Sequence, residues 1–182
     1  MLILRPSIVF SAGMPDQQLA RQILWFVPVT RLFQALPIDP AARLDLVDVG
    51  FVADATLRLL TLPNRTSDCY HLSAGPSSAV TAAVLSREVD RIYRRRLPLQ
   101  LIRPSDWGPA EGRQFVRTEL QRLVYNSLHF CLPFINMDVV YSDTRLRRDV
   151  GPLPAIRPVT DYLADLLRLI RTKSALQEAA LP

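Results

Sequence analysis

Glycine, cysteine, histidine and lysine are all scarce in this chain of 182 residues, and each shortage removes a class of chemistry. The six glycines are never grouped as Gly-x-Gly-x-x-Gly or as a P-loop, so no phosphate-cradling loop of either kind is encoded. The histidines, His71 and His129, lack the helical spacing of a zinc protease, and there is no Gly-x-Ser-x-Gly elbow of a serine hydrolase. Cys69 and Cys131 form neither metal spacing nor a disulfide framework. They suit a reducing compartment and a role as small buried hydrophobes. The first ten residues carry Arg5 and Pro6 in their middle and do not read as a signal peptide. Leu123 to Tyr141 contains no Lys, Arg or Glu and has the length of a bilayer span. Its Asn126, His129, Pro133, Asn136 and Asp138 argue instead for a buried segment lining a pocket, or one dipping into a membrane surface.

What is abundant is apolar surface and arginine. Hydrophobic residues make up 49% of the chain, enough to bury a core in one folded unit. The net charge of +5 comes almost wholly from arginine. It suits phosphates, acidic head groups or an acidic partner, and equally an Arg-rich solvated surface. Exposed aromatics are not interleaved with the basic residues, which argues against nucleic acid as a partner.

Leu2–Leu4 and Ile8–Phe10 are apolar runs with β-branched content, the composition of a strand buried on both faces of a parallel sheet. Arg5-Pro6-Ser7 interrupts them where such strands reach the ligand-binding carboxyl edge. A helix is expected over 17–26, followed by a greasy stretch through Trp25, Phe26, Phe33 and Leu36 that reads as core or as the wall of an apolar cleft. Leu44–Val49 reads as a strand feeding a helix with Val52, Ala55, Leu59 and Leu60 on one face, and Asp68–Pro76 as the next strand. Ser77 and Ser78 are placed to cap a helix over 79–95. Strand, helix, strand, helix marks an α/β fold. Beyond Leu97 a proline-punctuated passage precedes a helix over 111–129, a loop or short strand over 133–141, a short helix capped by Asp143 and a final amphipathic helix over 159–175.

Polar constellations are thin. Asp45, Asp48 and Asp54 read as cap and turn residues, two of them flanking a strand end where a ligand could bind. His71 and His129 read as satisfied buried histidines. Arg91, Arg94, Arg95 and Arg96 end a helix, where the helix dipole favours positive charge.

Leu4-Arg5-Pro6-Ser7-Ile8-Val9, then Leu44-Asp45-Leu46-Val47-x-Val49-x-Phe51-Val52-Ala53-Asp54-Ala55, then Tyr70-His71-Leu72-Ser73 resemble in order and spacing the C-terminal half of the extended short-chain dehydrogenase/reductases. The branch they look most like is the fatty acyl-CoA reductase and thioester reductase (male-sterility) group. The match covers residues 2–76 well; Ser142-Asp143-Thr144-Arg145 and Tyr162-Leu163 are similar more loosely. The chain departs from the family at Asp48 and Gly50, where Pro and Asp are usual.

The resemblance implies a Rossmann-like parallel-sheet remnant over residues 1–96, a mostly helical substrate region over 97–182, and reduction of acyl thioesters with NADP. It places Pro6, Ser7 and Ile8 against the nicotinamide, and Ile23, Trp25, Phe26, Phe33 and Leu36 along the acyl cleft. The family's glycine-rich loop and Tyr-x-x-x-Lys pair lie upstream of the Arg-Pro-Ser strand. The only lysine here is Lys173, and no tyrosine has a lysine four residues on. The chain is therefore expected to be inactive alone and to need an N-terminal Rossmann half, with an acyl thioester as substrate, in the cytoplasm or peripheral to a membrane. Two other readings stay open: a non-catalytic lipid- or membrane-surface-binding module, and a fragment of a sugar-nucleotide epimerase or dehydratase.

Overall fold

The structure is a computed structural model that describes residues 1–10, 26–153, 156–161, 163–165 and 167, without the side chains of Phe26 and Pro28. The opening run forms two strands in line, β1 (Ile3–Pro6) and β2 (Ile8–Phe10), parted at Ser7. β1 lies parallel to β6 (Cys69–Leu72), with Leu4 beside Tyr70 and Pro6 beside Leu72. β2 lies parallel to β5 (Leu46–Asp48), with Ile8 beside Leu46.

These partners sit on opposite edges. Along a strand the amides of successive residues face alternate edges. Ile3 and Ser7 donate to the carbonyls of Asp68 and Leu72 at 2.7 and 3.1 Å, whereas Ile8 donates to Asp45 at 3.1 Å. The opening run thus pairs with the Tyr70 region along one edge, while β5 covers the C-terminal part of the other and only the stretch along β1 stays open among the described residues.

β5 separates two cores. Leu46 belongs to a larger cluster that includes Phe10, Phe33, Leu36, Leu85, Val124 and Leu163, and Val47 to a smaller one with Phe51, Leu59, Tyr70, Leu72 and Leu146. Both residues are buried, as expected for a parallel strand sandwiched on both faces. α2 (Val49–Thr61) follows β5 without a loop, starting at Asp48, whose side chain accepts from the Phe51 amide at 2.9 Å. It lays Phe51, Ala55 and Leu59 on the smaller core. The larger core draws residues from both sides of position 96.

Short nonlocal strands complete the framework. β3 (Ala35–Pro37) pairs parallel with β8 (Gln100–Ile102), and β4 (Arg43–Leu44) antiparallel with β7 (Val80–Thr81). The second pairing corrects the next helix start. α3 runs Ala82–Tyr93 and is capped by Thr81, not by Ser77 or Ser78, because residues 80–81 are held as strand and the Ala82 amide donates to the Ala42 carbonyl. A four-residue helix, α1 (Phe26–Val29), precedes β3.

The long helix expected over 111–129 is two helices, α4 (Pro109–Phe115) and α5 (Glu119–Leu128). Thr118 and Gln121 form a capping box that starts α5 afresh. The stretch expected as a loop or strand holds a short helix, α6 (Leu132–Ile135), with Pro133 in its first turn, where a missing amide is tolerated. α7 (Thr144–Val150) begins after Asp143 as expected, but the Asp143 side chain makes no cap and bonds Arg147 instead. The expected helix over 17–26 and most of that over 159–175 lie outside the described residues. Among the described residues no helix is long and apolar enough to cross a membrane.

Arg95 does more than complement a helix dipole. Its guanidinium donates to the carbonyls of Thr30 and Phe33 at 3.1 and 2.6 Å and pairs with Asp90 at 3.1 Å. It thereby ties the end of α3 to the turn before β3.

Candidate functional site

The three strand motifs of the resemblance meet at one buried carboxylate. Asp45 stands just before β5 and is 4% exposed. Its Oδ1 lies 3.0 Å from Ser7 Oγ and accepts from the Ala74 amide at 2.8 Å, while its Oδ2 lies 2.6 Å from Ser73 Oγ and accepts from the Tyr141 amide at 3.3 Å. Two hydroxyls and two amides satisfy a charge that is otherwise costly to bury. Asp45 is therefore more than a local cap or turn residue, since its four partners all lie far from it in sequence. Sequence alone missed its partners Ser73 and Tyr141, which lie 28 and 96 residues away.

Each hydroxyl has a second acceptor to choose. Ser7 Oγ is 3.3 Å from the Leu72 carbonyl, and Ser73 Oγ is 2.7 Å from that of Tyr141 while accepting from the Gly75 amide at 2.9 Å. Gly75 closes the turn with φ +74°, and an added Cβ there would meet the Asp143 carboxyl at 3.2 Å, so backbone and space both call for glycine. The carboxyl ends of β1 and β6, the amino ends of β2 and β5 and the loop through Tyr141 are thus fixed to one another.

Beside this node the His71 ring stacks on Tyr141, with centroids 4.5 Å apart and planes 5° from parallel. His71 is half-buried rather than enclosed, and its Nδ1 is buried with no hydrogen-bond partner, which corrects the expectation of a satisfied histidine. His129 is exposed on the end of α5, contrary to the same expectation.

On the far side of β6, Tyr70 donates to Asp149 of α7, which also accepts from the amide and hydroxyl of Thr66 at 2.8 and 2.6 Å. The Thr66 and Tyr70 hydrogen bonds hold the Asp149 carboxyl down at about 2. Burial, with help from Asp149, pushes the Tyr70 phenol up.

The predicted site residues fall in different places. Pro6 is exposed, and Ser7 and Ile8 are half-buried at the rim of the Asp45 node. Phe33 and Leu36 are 1% exposed within the larger core. Ile23 and Trp25 lie outside the described residues, as does the Phe26 side chain. A cleft of about 440 Å³ opens between residues 77–84 and 156–160 and includes Ser78, Thr81 and Arg157. A cavity of about 30 Å³ sits in the larger core between Val27, Leu44 and Leu85. Among the described residues no group of His, Cys, Asp and Glu gathers to hold a metal ion. The sequence encodes no glycine-rich phosphate loop for a dinucleotide, and the Ser7 hydroxyl is engaged with Asp45 and the Leu72 carbonyl. The described residues do not by themselves make a complete cofactor site.

No family model and no curated protein matches the chain. Solved structures do. A putative epimerase from Burkholderia cenocepacia J2315 aligns with TM-score 0.54 at 19% identity over 94% of this chain and 47% of its own. L-threonine 3-dehydrogenase from Trypanosoma brucei aligns with TM-score 0.52 at 16% identity over 93% and 46%. The terminal R domain from the myxalamid PKS-NRPS biosynthetic pathway aligns with TM-score 0.51 at 20% identity over 99% and 44%. The chain therefore spans about half the length of these structures. At such identities the likeness is one of fold: a Rossmann-like α/β arrangement.

Proposed function

We propose that this chain is the C-terminal portion of an NADP-dependent reductase of the extended short-chain type, acting on fatty acyl thioesters. The observation that carries the reading is the convergence on Asp45. Arg-Pro-Ser, Leu-Asp-Leu-Val and Tyr-His-Leu-Ser, which resemble that group one by one, pack as neighbouring parallel strands whose ends share a single carboxylate. In this reading Pro6, Ser7 and Ile8 wall the nicotinamide end of the cofactor, and Asp45 holds that wall in register. The phosphate loop and the Tyr-x-x-x-Lys pair come from the rest of the fold, where the tyrosine donates a proton and the lysine holds it at a suitable pKa. Ile23, Trp25 and Phe26 remain the proposed apolar side of the acyl cleft, while Phe33 and Leu36 belong to the larger core.

The test joins the chain to the nucleotide-binding half of a reductase of that type, which carries the glycine-rich loop and the Tyr-x-x-x-Lys pair. NADPH oxidation is then followed with an acyl-CoA and an acyl-carrier thioester, and conversion of a nucleotide sugar, which consumes no net NADPH, is followed by product analysis. Turnover of either thioester supports the reading; turnover of the nucleotide sugar alone replaces it with the epimerase alternative.

One observation favours a second reading, a lipid-surface-binding module. Phe130, Phe134 and Met137 follow one another at helical spacing and are 77%, 66% and 56% exposed. Co-sedimentation with acidic phosphatidylserine vesicles tests it: loss of binding in Phe130→Ser/Phe134→Ser supports that role, and absence of binding by the parent chain removes it.

A further inference from the structure

We propose that the outer face of α2 is a self-association surface, on which a second copy of this chain packs its own α2 antiparallel. α2 is apolar nearly all the way round: of its 13 residues only Asp54 and Arg58 are charged. Phe51, Ala55 and Leu59 account for one side by packing on the smaller core. On the opposite side Val49, Leu57 and Leu60 are 42%, 62% and 60% exposed, with Gly50 and Ala53 exposed between them. Leu60, expected from the sequence on the buried side, belongs to this outer stripe. A surface helix ordinarily turns polar residues outward, and one that is apolar on both sides is ordinarily covered on both.

The pattern of the stripe selects a second copy as its occupant. At 3.6 residues per turn, Val49, Gly50, Ala53, Leu57 and Leu60 fall within a sector of about 100° that runs for about 17 Å along the helix. With two such helices antiparallel and the two-fold axis at the level of position 55, Leu57 of one copy lies over Ala53 of the other, and Leu60 over Gly50. Each leucine then enters a gap where the partner has little or no side chain. A parallel pair in register sets leucine against leucine instead.

Charge agrees with shape. Asp54 and Arg58 stand on one flank of the stripe, are each 39% exposed, and pair within their own helix at 2.9 Å. An antiparallel pair brings like flanks together, which places Asp54 of each copy beside Arg58 of the other and joins the two internal pairs into one alternating network. The contact is a single helix wide, at the small end of specific interfaces, so the dimer is reversible, with a dissociation constant on the order of 10 μM. Nothing in this depends on the reductase reading.

Sedimentation velocity of the chain, at concentrations spanning that constant, tests the proposal. A monomer–dimer equilibrium is expected. Leu57→Glu, at an exposed position, should keep the parent's circular dichroism and weaken the dimer about tenfold or more. The charge exchange Asp54→Arg/Arg58→Asp should still self-associate, because the alternation is preserved. Mixed with the parent it should form hybrid dimers about tenfold less often than chance, because like charges then meet across the flank. This mixing experiment decides whether or not Leu57→Glu folds. Phe130→Ser/Phe134→Ser should dimerise like the parent. A parent chain that stays monomeric, a dimer that survives Leu57→Glu, free mixing of exchanged and parent chains, or loss of the dimer in Phe130→Ser/Phe134→Ser would each overturn the proposal.

Discussion

Asp48 and Gly50 fit one another: a Cβ at position 50 would lie 2.9 Å from Asp48 Oδ1, the oxygen that accepts the Phe51 amide. The absence of a side chain at 50 leaves room for the cap at 48, so the two departures from the family pattern are physically coupled. Gly50→Ala should gain about 1 kcal/mol of helix propensity and lose about 1 kcal/mol of capping, for little net change. Asp48→Ala should cost about 1 kcal/mol, and Gly50→Ala made on top of it should recover about that much. Denaturant titration of the four proteins closes the cycle; additive effects would refute the coupling.

Asp149 and Tyr70 give the stability a signature at both ends of the pH scale. The Asp149 carboxyl falls from 3.8 to about 2 on folding, so its contribution is present above the unfolded value and is lost as pH falls from about 4 toward 2. The Tyr70 phenol is raised from 10.0, so its contribution is present below that value and disappears as pH rises through the folded one. Melting temperature against pH should show a flatter acid limb in Asp149→Asn and a flatter alkaline limb in Tyr70→Phe. Identical limbs in variant and parent would remove the assignment.

Arg95 should be the costliest arginine to truncate. Its loss leaves the Thr30 and Phe33 carbonyls short of a donor and Asp90 without its cation. Arg95→Ala is expected to destabilise by about 3 kcal/mol, against about 0.5 kcal/mol or less for the exposed Arg91, which among the described residues pairs with Glu88 on its own helix. Urea unfolding distinguishes the two.

Asp45→Asn should be far from conservative. An amide presents one oxygen where two are used, and its NH2 group would face either the Ala74 or the Tyr141 amide donor. A loss of about 2 kcal/mol is expected, with Ser73→Ala costing about 1 kcal/mol. Stability unchanged in Asp45→Asn would mean that this node does not hold the strand ends together.

β5 was readable because burial on both faces leaves a composition that few other environments produce, as in Leu46–Val47, whereas Leu2–Leu4, of similar composition, is only half-buried. The Asp45 node was only half legible: the residue stood out at a strand end, but a bond to Tyr141, 96 residues away, has no local trace. β3 with β8 escaped for the same reason, three residues being too few to show a period. The break before α5 did leave a signal, Thr118-x-x-Gln121, overridden by the longer apolar periodicity around it. The start of α3 was misplaced because tertiary pairing of Val80–Thr81 outranked the local capping preference of Ser77 and Ser78.

The position of β5 between the two clusters has a consequence for how the chain comes apart. Leu46 and Val47 are consecutive, and each is a buried member of a different cluster. Pulling either side chain from its surroundings rotates the same peptide unit, and with it the ladder to β2. Neither cluster can melt while the other keeps its packing, so heat or denaturant should register a single concerted transition rather than two steps in sequence.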